Sequence, residues 1–169
     1  MKDIMLDLET LGNRPGCVLV ALGAVRFDAN GLGKEFYMRI DPQSCMEAGL
    51  EMDVSTVLWW LAQSDAARAE ICKPGTALRA VLGLFSNFVG SRETRIWGNG
   101  ASFDNAILAE AYRRDGSVLP WDFWNDRCYR TVKASAPLVK LARVGTYHNA
   151  LDDAKSQALH LIEIWKAGS

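Results

Sequence analysis

The sequence has no strong charge of either sign, no paired cysteine motif and no hydrophobic run long enough to cross a membrane. Its 19 Lys and Arg residues nearly balance 20 Asp and Glu residues, for a net charge of -1. This balance argues against a protein that coats duplex nucleic acid non-specifically, although it allows a local basic rim around an acidic site. The longest apolar stretch, CVLVALGAV, is too short for a bilayer, so we expect no membrane partner.

Cysteine is sparse and scattered along the chain. The four cysteines form no CxxC pair and only two histidines could join them, which is not the pattern of a zinc site. No signal peptide is recognisable because acidic residues interrupt the first apolar segment, so we expect a soluble cytoplasmic protein with reduced, buried thiols. The cysteines are Cys17, Cys45, Cys72 and Cys128, and the histidines are His148 and His160.

The composition is that of one compact domain. A chain of 169 residues with 49% hydrophobic content can bury a sizeable core, and 23% charged residues argues against disorder. No internal repeat, low-complexity segment or linker divides the sequence. We therefore predict a single domain over residues 1–169.

Strand-like segments separated by short turns rich in Gly, Pro and Asn open the chain. Short turns between β-rich segments are typical of a meander, which predicts that the first three strands are antiparallel neighbours. These segments are Asp3–Thr10, GCVLVALGAVRFD and KEFYMRID, and TRIWGNG is interpreted as a fourth strand ending in glycine.

Helical periodicity dominates the rest of the chain. DVSTVLWWLAQSDAARAEIC has Asp53 or Ser55 as a candidate N-cap, and TALRAVLGLFSNFVG has Thr76. The helix in SFDNAILAEAYRRDG is expected to end at Gly116. A short strand near residues 121–123, a short helix over about 126–134 and a final helix in NALDDAKSQALHLIEIW complete the prediction. This order predicts an α/β fold with a mixed β-sheet covered by helices.

The segment LDLETLG places two acids in an otherwise apolar strand. Because alternate residues of a strand share a face, Ile4, Leu6 and Leu8 can enter a core while Asp7 and Glu9 stand together on the opposite side. One interpretation is a strand with one wet face. The other is a pair of ligands for a divalent cation, whose charge offsets the repulsion between the carboxylates.

Two later segments add acids near predicted helix starts. Asp104 follows the WGNG strand, where α/β sheets commonly collect ligands, although an aspartate there also favours the helix dipole. In YHNALDDA, His148 precedes a helix whose first turns carry Asp152 and Asp153. A polar loop histidine and dipole-complementing acids are the structural alternative for this segment.

The order DLET, FDNAIL, HNALDDA resembles the DEDD family of 3′-5′ exonucleases in the ribonuclease H-like superfamily, in the subgroup whose last motif carries histidine. Asp7, Glu9, Asp104, His148 and Asp153 each match a position of the family pattern. The resemblance runs from the first residue to about residue 166. LETLGNRPG, TVLWWLAQ, WGNGASFD and RCYRTVK are further similar to a compact phage and bacterial branch of single-domain exonucleases.

The resemblance implies a ribonuclease H-like fold and a metal-dependent 3′-5′ exonuclease that releases nucleoside 5′-monophosphates. It implies two divalent ions, and hard oxygen ligands favour Mg²⁺ or Mn²⁺. Asp7 would bridge both ions, Glu9 and Asp153 would complete one site and Asp104 the other. His148 would be the general base, and we expect the acidic cluster to raise its pKa above the ordinary value. Asp152 is then the spare acid, and His160 is interpreted as a surface or packed residue.

The expected partner is the 3′ end of single-stranded or 3′-overhanging DNA or RNA, with the sugar left open. The resemblance assigns contacts with the terminal nucleotide to Thr10 and Leu11. Arg127, Arg130 and Lys133 are candidates for phosphate contacts, or else a solvated helix face, and Asn99 and Ser102 are candidates by position alone. Of Trp59 and Trp60 at least one is expected in the core, and TVLWWL is compatible with a homodimer interface or with the core.

Two alternative functions stand beside this one. The first is an RNA-end trimming exoribonuclease or oligonucleotidase of the same fold. The second is a catalytically silent nucleic-acid-binding module, which retention of all five motif residues argues against, because a binding module has no need of four mutually repelling carboxylates.

Overall fold

A computed structural model describes residues 1–146 and 148–168, with residues 66 and 70 described by their backbone alone. A five-stranded mixed sheet forms its centre, in the order β3-β2-β1-β4-β5. β1 pairs antiparallel with β2, β2 pairs antiparallel with β3, and β4 and β5 continue the sheet in parallel with β1. The predicted α/β fold with three antiparallel strands is confirmed. The strands are β1 Asp3–Thr10, β2 Leu19–Asp28, β3 Gly31–Arg39, β4 Arg95–Gly98 and β5 Asp126–Cys128.

Seven helices and one 3-10 turn are found in the described part of the chain. The sequence predicts the last helix well, but it misses α1 and joins α2 and α3 into one. The helices are α1 Pro42–Glu47, α2 Val54–Leu61, α3 Asp65–Ile71, α4 Leu78–Val89, α5 Asp104–Asp115, α6 Tyr129–Ser135 and α7 Ala150–Ala167, and the 3-10 turn is Phe123–Asn125. None of the described helices is long and apolar enough to cross a membrane.

The sheet is covered by helices on both faces, and β1 supplies side chains to each. Ile4, Leu6 and Leu8 enter the larger core, where α4 and α5 pack, while Met5 enters a second core beneath α6 and α7. This alternation is the one that the sequence predicts, and it turns the acids of β1 toward α7. The α7 members of the second core are Ala154, Ala158, Leu161 and Ile162.

Helix α7 lies unusually close to the first two strands. A Cβ built on Gly23 of β2 would lie 2.2 Å from the backbone of Ala150 and Leu151, so only glycine fits there. Gly23 is the cross-strand partner of Asp7, so this close approach of α7 falls beside the acidic end of β1. The N-terminus of α7 is capped by Asn149, whose side chain accepts the N–H groups of Leu151 and Asp152.

Two local predictions are wrong and a third is resolved. Thr76 does not cap α4, because Ala77 occupies the N-cap position and Ser44 Oγ of α1 accepts the Leu78 N–H at 2.9 Å. The short strand predicted at residues 121–123 forms instead at 126–128, after the 3-10 turn, and the following helix starts at Tyr129. Of the two candidate caps for α2, Asp53 is the one used.

The thiols are only partly as expected. Cys17 and Cys45 are buried, whereas Cys128 is half-buried and Cys72 is exposed beyond the end of α3. All four are free thiols, in agreement with a chain that does not depend on disulfides.

Candidate active site

The acidic residues of three separate elements meet at one end of the sheet. Asp7 lies in the second half of β1, and Asp104 is the first residue of α5, after β4. Both line a cleft of about 160 Å³ together with Asn99, Phe103 and Arg130. A larger cleft of about 340 Å³ lies between residues 12–17 and 51–53, but none of the clustered carboxylates lines it. We therefore place the candidate site at the smaller cleft.

Glu9, His148 and Asp153 form the other part of the cluster. Each offers one potential ligand atom, and these atoms lie within 4.8 Å of one another. Asp153 reaches this position from the first turn of α7, and its Oδ2 accepts the backbone N–H of His148 at 3.2 Å. The five residues of the family pattern are thus brought together from β1, α5, α7 and the loop before α7.

Burial and mutual repulsion raise the pKa values of the central acids. Burial raises the pKa of Asp7 well above its ordinary value, and the charges of Asp104, Glu9 and Asp153 raise it further. Burial, followed by the charges of Asp153 and Asp104, raises the pKa of Glu9 to about 8. Burial also raises the pKa of Asp104 to about 7, although hydrogen bonds and the charge of Arg130 oppose the shift. Without added positive charge these acids are held partly protonated near neutral pH.

The position of Asp104 is set by the end of β4. Its Oδ2 accepts the N–H of Asn99 at 2.8 Å. A Cβ on Gly98 would lie 2.9 Å from the Asp104 Cβ and still closer to Asn105 Oδ1, so glycine allows α5 to start directly against the strand. This contact fixes the carboxylate at the strand end, where the sequence predicted a ligand.

His148 is held beside the acids in an unusual backbone conformation. Its φ of 60° lies in the left-handed region, which non-glycine residues rarely adopt and which is common at functional sites. Its ring packs edge-on against Trp59 and Trp60 of α2, with centroids 5.4 and 5.9 Å away. Burial lowers the pKa of His148, and this outweighs the charge of Asp153. The expectation of a raised pKa was wrong, because it counted the acids and not the burial beside the two tryptophans.

The tryptophans also reach the end of β1. Trp60 is buried, as expected for at least one of the pair, and its indole N–H donates to the Thr10 carbonyl at 2.9 Å. Thr10 Oγ1 donates to the Gly12 carbonyl at 2.6 Å, which closes the turn after the strand. Leu11 is partly buried against the core, and its carbonyl accepts the Asp53 N–H at 2.7 Å. Both residues predicted to contact the terminal nucleotide directly follow Glu9 in the chain, at the end of β1.

Two arginines lie beside different acids of the cluster. Arg130 donates to the Asn99 carbonyl at 2.6 Å, and its charge lowers the pKa of Asp104. Arg143, in the loop before α7, forms an ion pair with Asp153 and donates to its Oδ1. Sequence reasoning did not select Arg143, since it belongs to no motif and its spacing carries no signal.

The other polar candidates lie at varying distances from the cluster. Asn99 lines the cleft, and Ser102 is exposed in the turn before α5. Arg127 donates its Nη1 to the carbonyls of Trp124 and Asp126, so its guanidinium lies against its own loop. Lys133 is exposed on α6.

Gln157 is a site residue that the sequence analysis missed. Its Nε2 donates to Asp7 Oδ1 at 2.8 Å, which lowers the pKa of that acid and so favours the charged carboxylate. It stands one helical turn after Asp153, and this i, i+4 spacing was the only available signal. The side chain is 6% exposed, and its Oε1 is buried with no hydrogen-bond partner in the described part of the chain.

The donor set fits a divalent cation. Four carboxylates converge here, and the pKa values of Asp7, Glu9 and Asp104 are raised. Together with the Gln157 amide oxygen, which has no partner among the described residues, they offer hard oxygen ligands and an excess of negative charge. No cysteine takes part in the cluster, and its single histidine is packed against tryptophan. Such a set favours Mg²⁺ or Mn²⁺ over softer metals.

Asp152 and His160 lie outside the cluster and fasten the loop that leads to His148. Asp152 Oδ2 accepts the Thr146 N–H at 2.7 Å. Buried His160 has its Nε2 2.9 Å from the Val139 carbonyl, which can only accept, so Nε2 carries the proton. Its Nδ1 then accepts the Tyr129 hydroxyl at 2.6 Å. The interpretation of His160 as a packed residue agrees with this placement.

Comparison with known proteins identifies the same kind of enzyme. The family model described as the 3′-5′ exoribonuclease Rv2179c-like domain matches residues 2–165. The exodeoxyribonuclease of Enterobacteria phage T4 is 25% identical over an alignment of 162 residues; the match covers 78% of this chain and 70% of the phage protein.

Solved structures share the fold at low identity. The nuclease domain of 3′hExo, described as a DEDDh family member bound to rAMP, has a TM-score of 0.66 at 12% identity, with 98% of this chain and 92% of that domain covered. Pop2p of S. pombe, in a Mg²⁺- and Mn²⁺-bound form, has a TM-score of 0.65 at 15% identity, with 99% of this chain and 85% of that protein covered. The ribonuclease H-like architecture predicted from the sequence is therefore confirmed.

Proposed function

Because the chain belongs to the 3′-5′ exoribonuclease Rv2179c-like family and is a 3′-5′ exonuclease of the DEDDh type, we propose that it removes nucleoside 5′-monophosphates from free 3′ ends by a two-metal mechanism. The substrate would be single-stranded or 3′-overhanging nucleic acid. The observation that carries this proposal is the convergence of Asp7, Glu9, Asp104 and Asp153 around His148.

The four carboxylates would hold the ions. Asp7 is the central ligand in this proposal, since the charges of all three other acids act on it. Glu9 and Asp153 would serve one ion, and Asp104 the other. Two bound ions supply positive charge for the phosphate and the departing 3′ oxygen, and they lower the pKa of water.

The protein residues would supply the remaining catalytic functions. His148 would accept the proton of the attacking water on a ring nitrogen. Its lowered pKa keeps the ring neutral, and so able to accept, at neutral pH. Trp59 and Trp60 hold the ring in place from one side, and the Asp153 carboxylate fixes its backbone from the other. Gln157 would keep Asp7 oriented through its amide donor.

Binding of the substrate would use the rim of the same cleft. Thr10 and Leu11 would contact the terminal nucleotide, because they directly follow Glu9 at the end of β1. Arg130 is the stronger candidate for a phosphate contact because it lines the cleft, where it donates to the Asn99 carbonyl, whereas Arg127 donates to carbonyls of its own loop and is not part of the cleft lining. Asn99 and Ser102 would contact the backbone of the last nucleotides.

The decisive experiment compares matched DNA and RNA strands with a label at the 5′ end. Cleavage should require Mg²⁺ or Mn²⁺, stop in excess chelator, and proceed stepwise from the 3′ end. A bulky 3′ block should protect the strand, whereas a 5′ block should not. The Asp7→Asn variant purified in parallel controls for a contaminating nuclease. Full activity in chelator, or digestion of closed single-stranded circles, would overturn the proposal.

The same assay decides between the alternatives. A strong preference for RNA, or for fragments of a few nucleotides, would favour the RNA-trimming or oligonucleotidase function. Binding without cleavage would favour the silent module. We also propose that residues 1–169 form one exonuclease domain. The homodimer and the cytoplasmic location stay predictions, and sedimentation and cell fractionation would test them.

A further inference from the structure

Arg143 forms an ion pair with Asp153, a carboxylate that the proposed function assigns to a metal ion. Its guanidinium donates to Asp153 Oδ1, while Asp153 Oδ2 accepts the backbone N–H of His148 at 3.2 Å. Both oxygens of this acid thus already have donors from one short loop. A cation that uses Asp153 as a ligand must displace one of the two donors or share an oxygen with it.

The backbone donor is the less movable of the two. The loop that carries it is fastened to α7, since the Val144 N–H donates to Ser156 Oγ at 3.0 Å and the Thr146 N–H donates to Asp152 Oδ2 at 2.7 Å. The Arg143 side chain is 46% exposed on a flexible stem, whereas the Asp153 side chain is 14% exposed. The guanidinium is therefore the group that can leave.

Charge repulsion also favours release of the Arg143 guanidinium when a cation binds. The guanidinium offsets part of the negative charge of the cluster when no cation is present. Once Asp153 coordinates a cation, the positive charge of Arg143 is repelled from it. The positive charge of Arg143 also lowers the pKa of His148, which places the guanidinium within electrostatic reach of the general base.

We propose that Arg143 exchanges partners during the reaction: it pairs with Asp153 in the metal-free enzyme, gives up this carboxylate when a divalent cation binds, and then binds a phosphate oxygen of the substrate. The inference rests on the proposed function. A guanidinium suits the last role because its planar donors bind phosphate in a bidentate manner. Because Arg143 is partly exposed and pairs with one of the proposed metal ligands, a phosphate bound next to Asp153 would come within its reach.

The first test is a calorimetric titration with Mn²⁺ in the absence of nucleic acid. Removal of the competing charge in Arg143→Gln should tighten Mn²⁺ binding about 1.4- to 5-fold, the range expected for loss of one partly exposed ion pair. Arg143→Lys keeps the charge and should stay close to the wild-type affinity. Arg114→Gln, which removes an arginine paired with Glu110 on α5, is the matched control and should change nothing.

The second test measures nucleotide binding at saturating Mn²⁺. Arg143→Gln should bind AMP and dAMP about tenfold more weakly, because one charge-assisted phosphate contact is lost. Binding of adenosine, which has no phosphate, should not change. Thermal unfolding of Arg143→Gln should match the wild type, which confirms that the fold is intact.

The outcomes separate this inference from the proposed function. Weaker Mn²⁺ binding by Arg143→Gln would mean that Arg143 orients Asp153 as a permanent partner, and it would overturn the exchange. Unchanged AMP and dAMP affinity would overturn the phosphate contact. A wild-type protein that binds no Mn²⁺ and cleaves no strand would instead contradict the proposed function itself.

Discussion

Gln157 Nε2 donates a 2.8 Å hydrogen bond to Asp7 Oδ1, and this bond joins the last helix to the first strand inside the carboxylate cluster. Gln157→Leu keeps the size of the side chain but removes the donor that favours a charged Asp7. We expect Mn²⁺ affinity to fall about 10- to 100-fold, as is usual when the partner of a metal ligand is lost. Calorimetric titration measures this directly.

The control for that prediction is Gln43→Leu. Gln43 makes an equivalent amide hydrogen bond to Glu47 on the exposed face of α1. The Gln43→Leu variant should leave Mn²⁺ affinity unchanged. If Gln157→Leu bound Mn²⁺ as the wild type does, Gln157 would be a packing residue only.

A second prediction separates the general base from the ligands. His148→Ala should retain most of its Mn²⁺ affinity but lose about 10²- to 10⁴-fold in single-turnover rate, the range usual for loss of a general base. Asp7→Asn should lose metal binding and turnover together. Asp152→Asn keeps an acceptor for the Thr146 N–H and should change neither Mn²⁺ affinity nor turnover. Wild-type turnover by His148→Ala would remove the assignment of the base.

The metal-free protein should become less stable as the pH rises. The pKa of Glu9 is raised from an ordinary value of 4.5 to about 8 in the fold. Between these two pH values the native state therefore holds a proton that the unfolded chain has released. The contribution of Glu9 to the free energy of unfolding is fully present below about pH 4.5 and is lost as the pH rises to 8. The loss can reach about 1.4 kcal/mol per pH unit for each such proton.

Urea unfolding in chelator between pH 5 and 8.5 measures this slope. Glu9→Gln should flatten the profile, because the amide does not titrate. Saturating Mn²⁺ should also stabilise the protein most at the upper end of the range, where the carboxylates are charged. A profile that stays level in chelator would show that the acids are less desolvated than their burial implies.

Replacement of His160 should act on stability first. In His160→Ala the Tyr129 hydroxyl and the Val139 carbonyl both lose their partner inside the protein. We expect the free energy of unfolding to fall by about 2–4 kcal/mol, from two unsatisfied groups and a cavity. Urea unfolding at pH 7 tests this, and an unchanged midpoint would mean that water replaces the ring.

The glycine beneath α7 offers a fifth test. In Gly23→Ala the added carbon would meet the backbone of Ala150 and Leu151, so α7 has to move away from Asp7. We expect a loss of about 1–3 kcal/mol in stability, as for other overpacked sites, together with weaker Mn²⁺ binding. Gly83→Ala in α4 meets nothing within 4 Å and should stabilise the protein by about 0.5–1 kcal/mol.

Local patterns explain which parts of the fold were predictable. The alternation in LDLETLG is enough to turn Ile4, Leu6 and Leu8 to one face and Asp7 and Glu9 to the other, because this period belongs to the strand itself. The cap of α4 was not predictable in this way. Its N-terminus is satisfied by Ser44, a residue 34 positions earlier, and no local pattern indicates that partner.

The order of the motifs predicts the candidate site residues that belong to the family pattern, and no others. The family pattern selects the four acids and His148, but it says nothing of the groups that hold them. Gln157 contacts Asp7 across 150 residues of sequence, and Gly23 matters only because α7 crosses it. The pKa of His148 is lowered because its ring is buried, and it packs against Trp59 and Trp60. This packing cannot be predicted from the number of acidic residues in the sequence around His148.

The bond between Gln157 and Asp7 has a consequence for the newly made protein. At roughly 5–20 residues per second, synthesis of the 150 residues between them takes about 8–30 s. During that time β1 has emerged but α7 has not, so Asp7 and Glu9 stand without Asp153 or the loop of His148. The candidate site of a nascent chain is thus incomplete until α7 has been made, and the cluster is assembled only when this last helix packs onto the sheet.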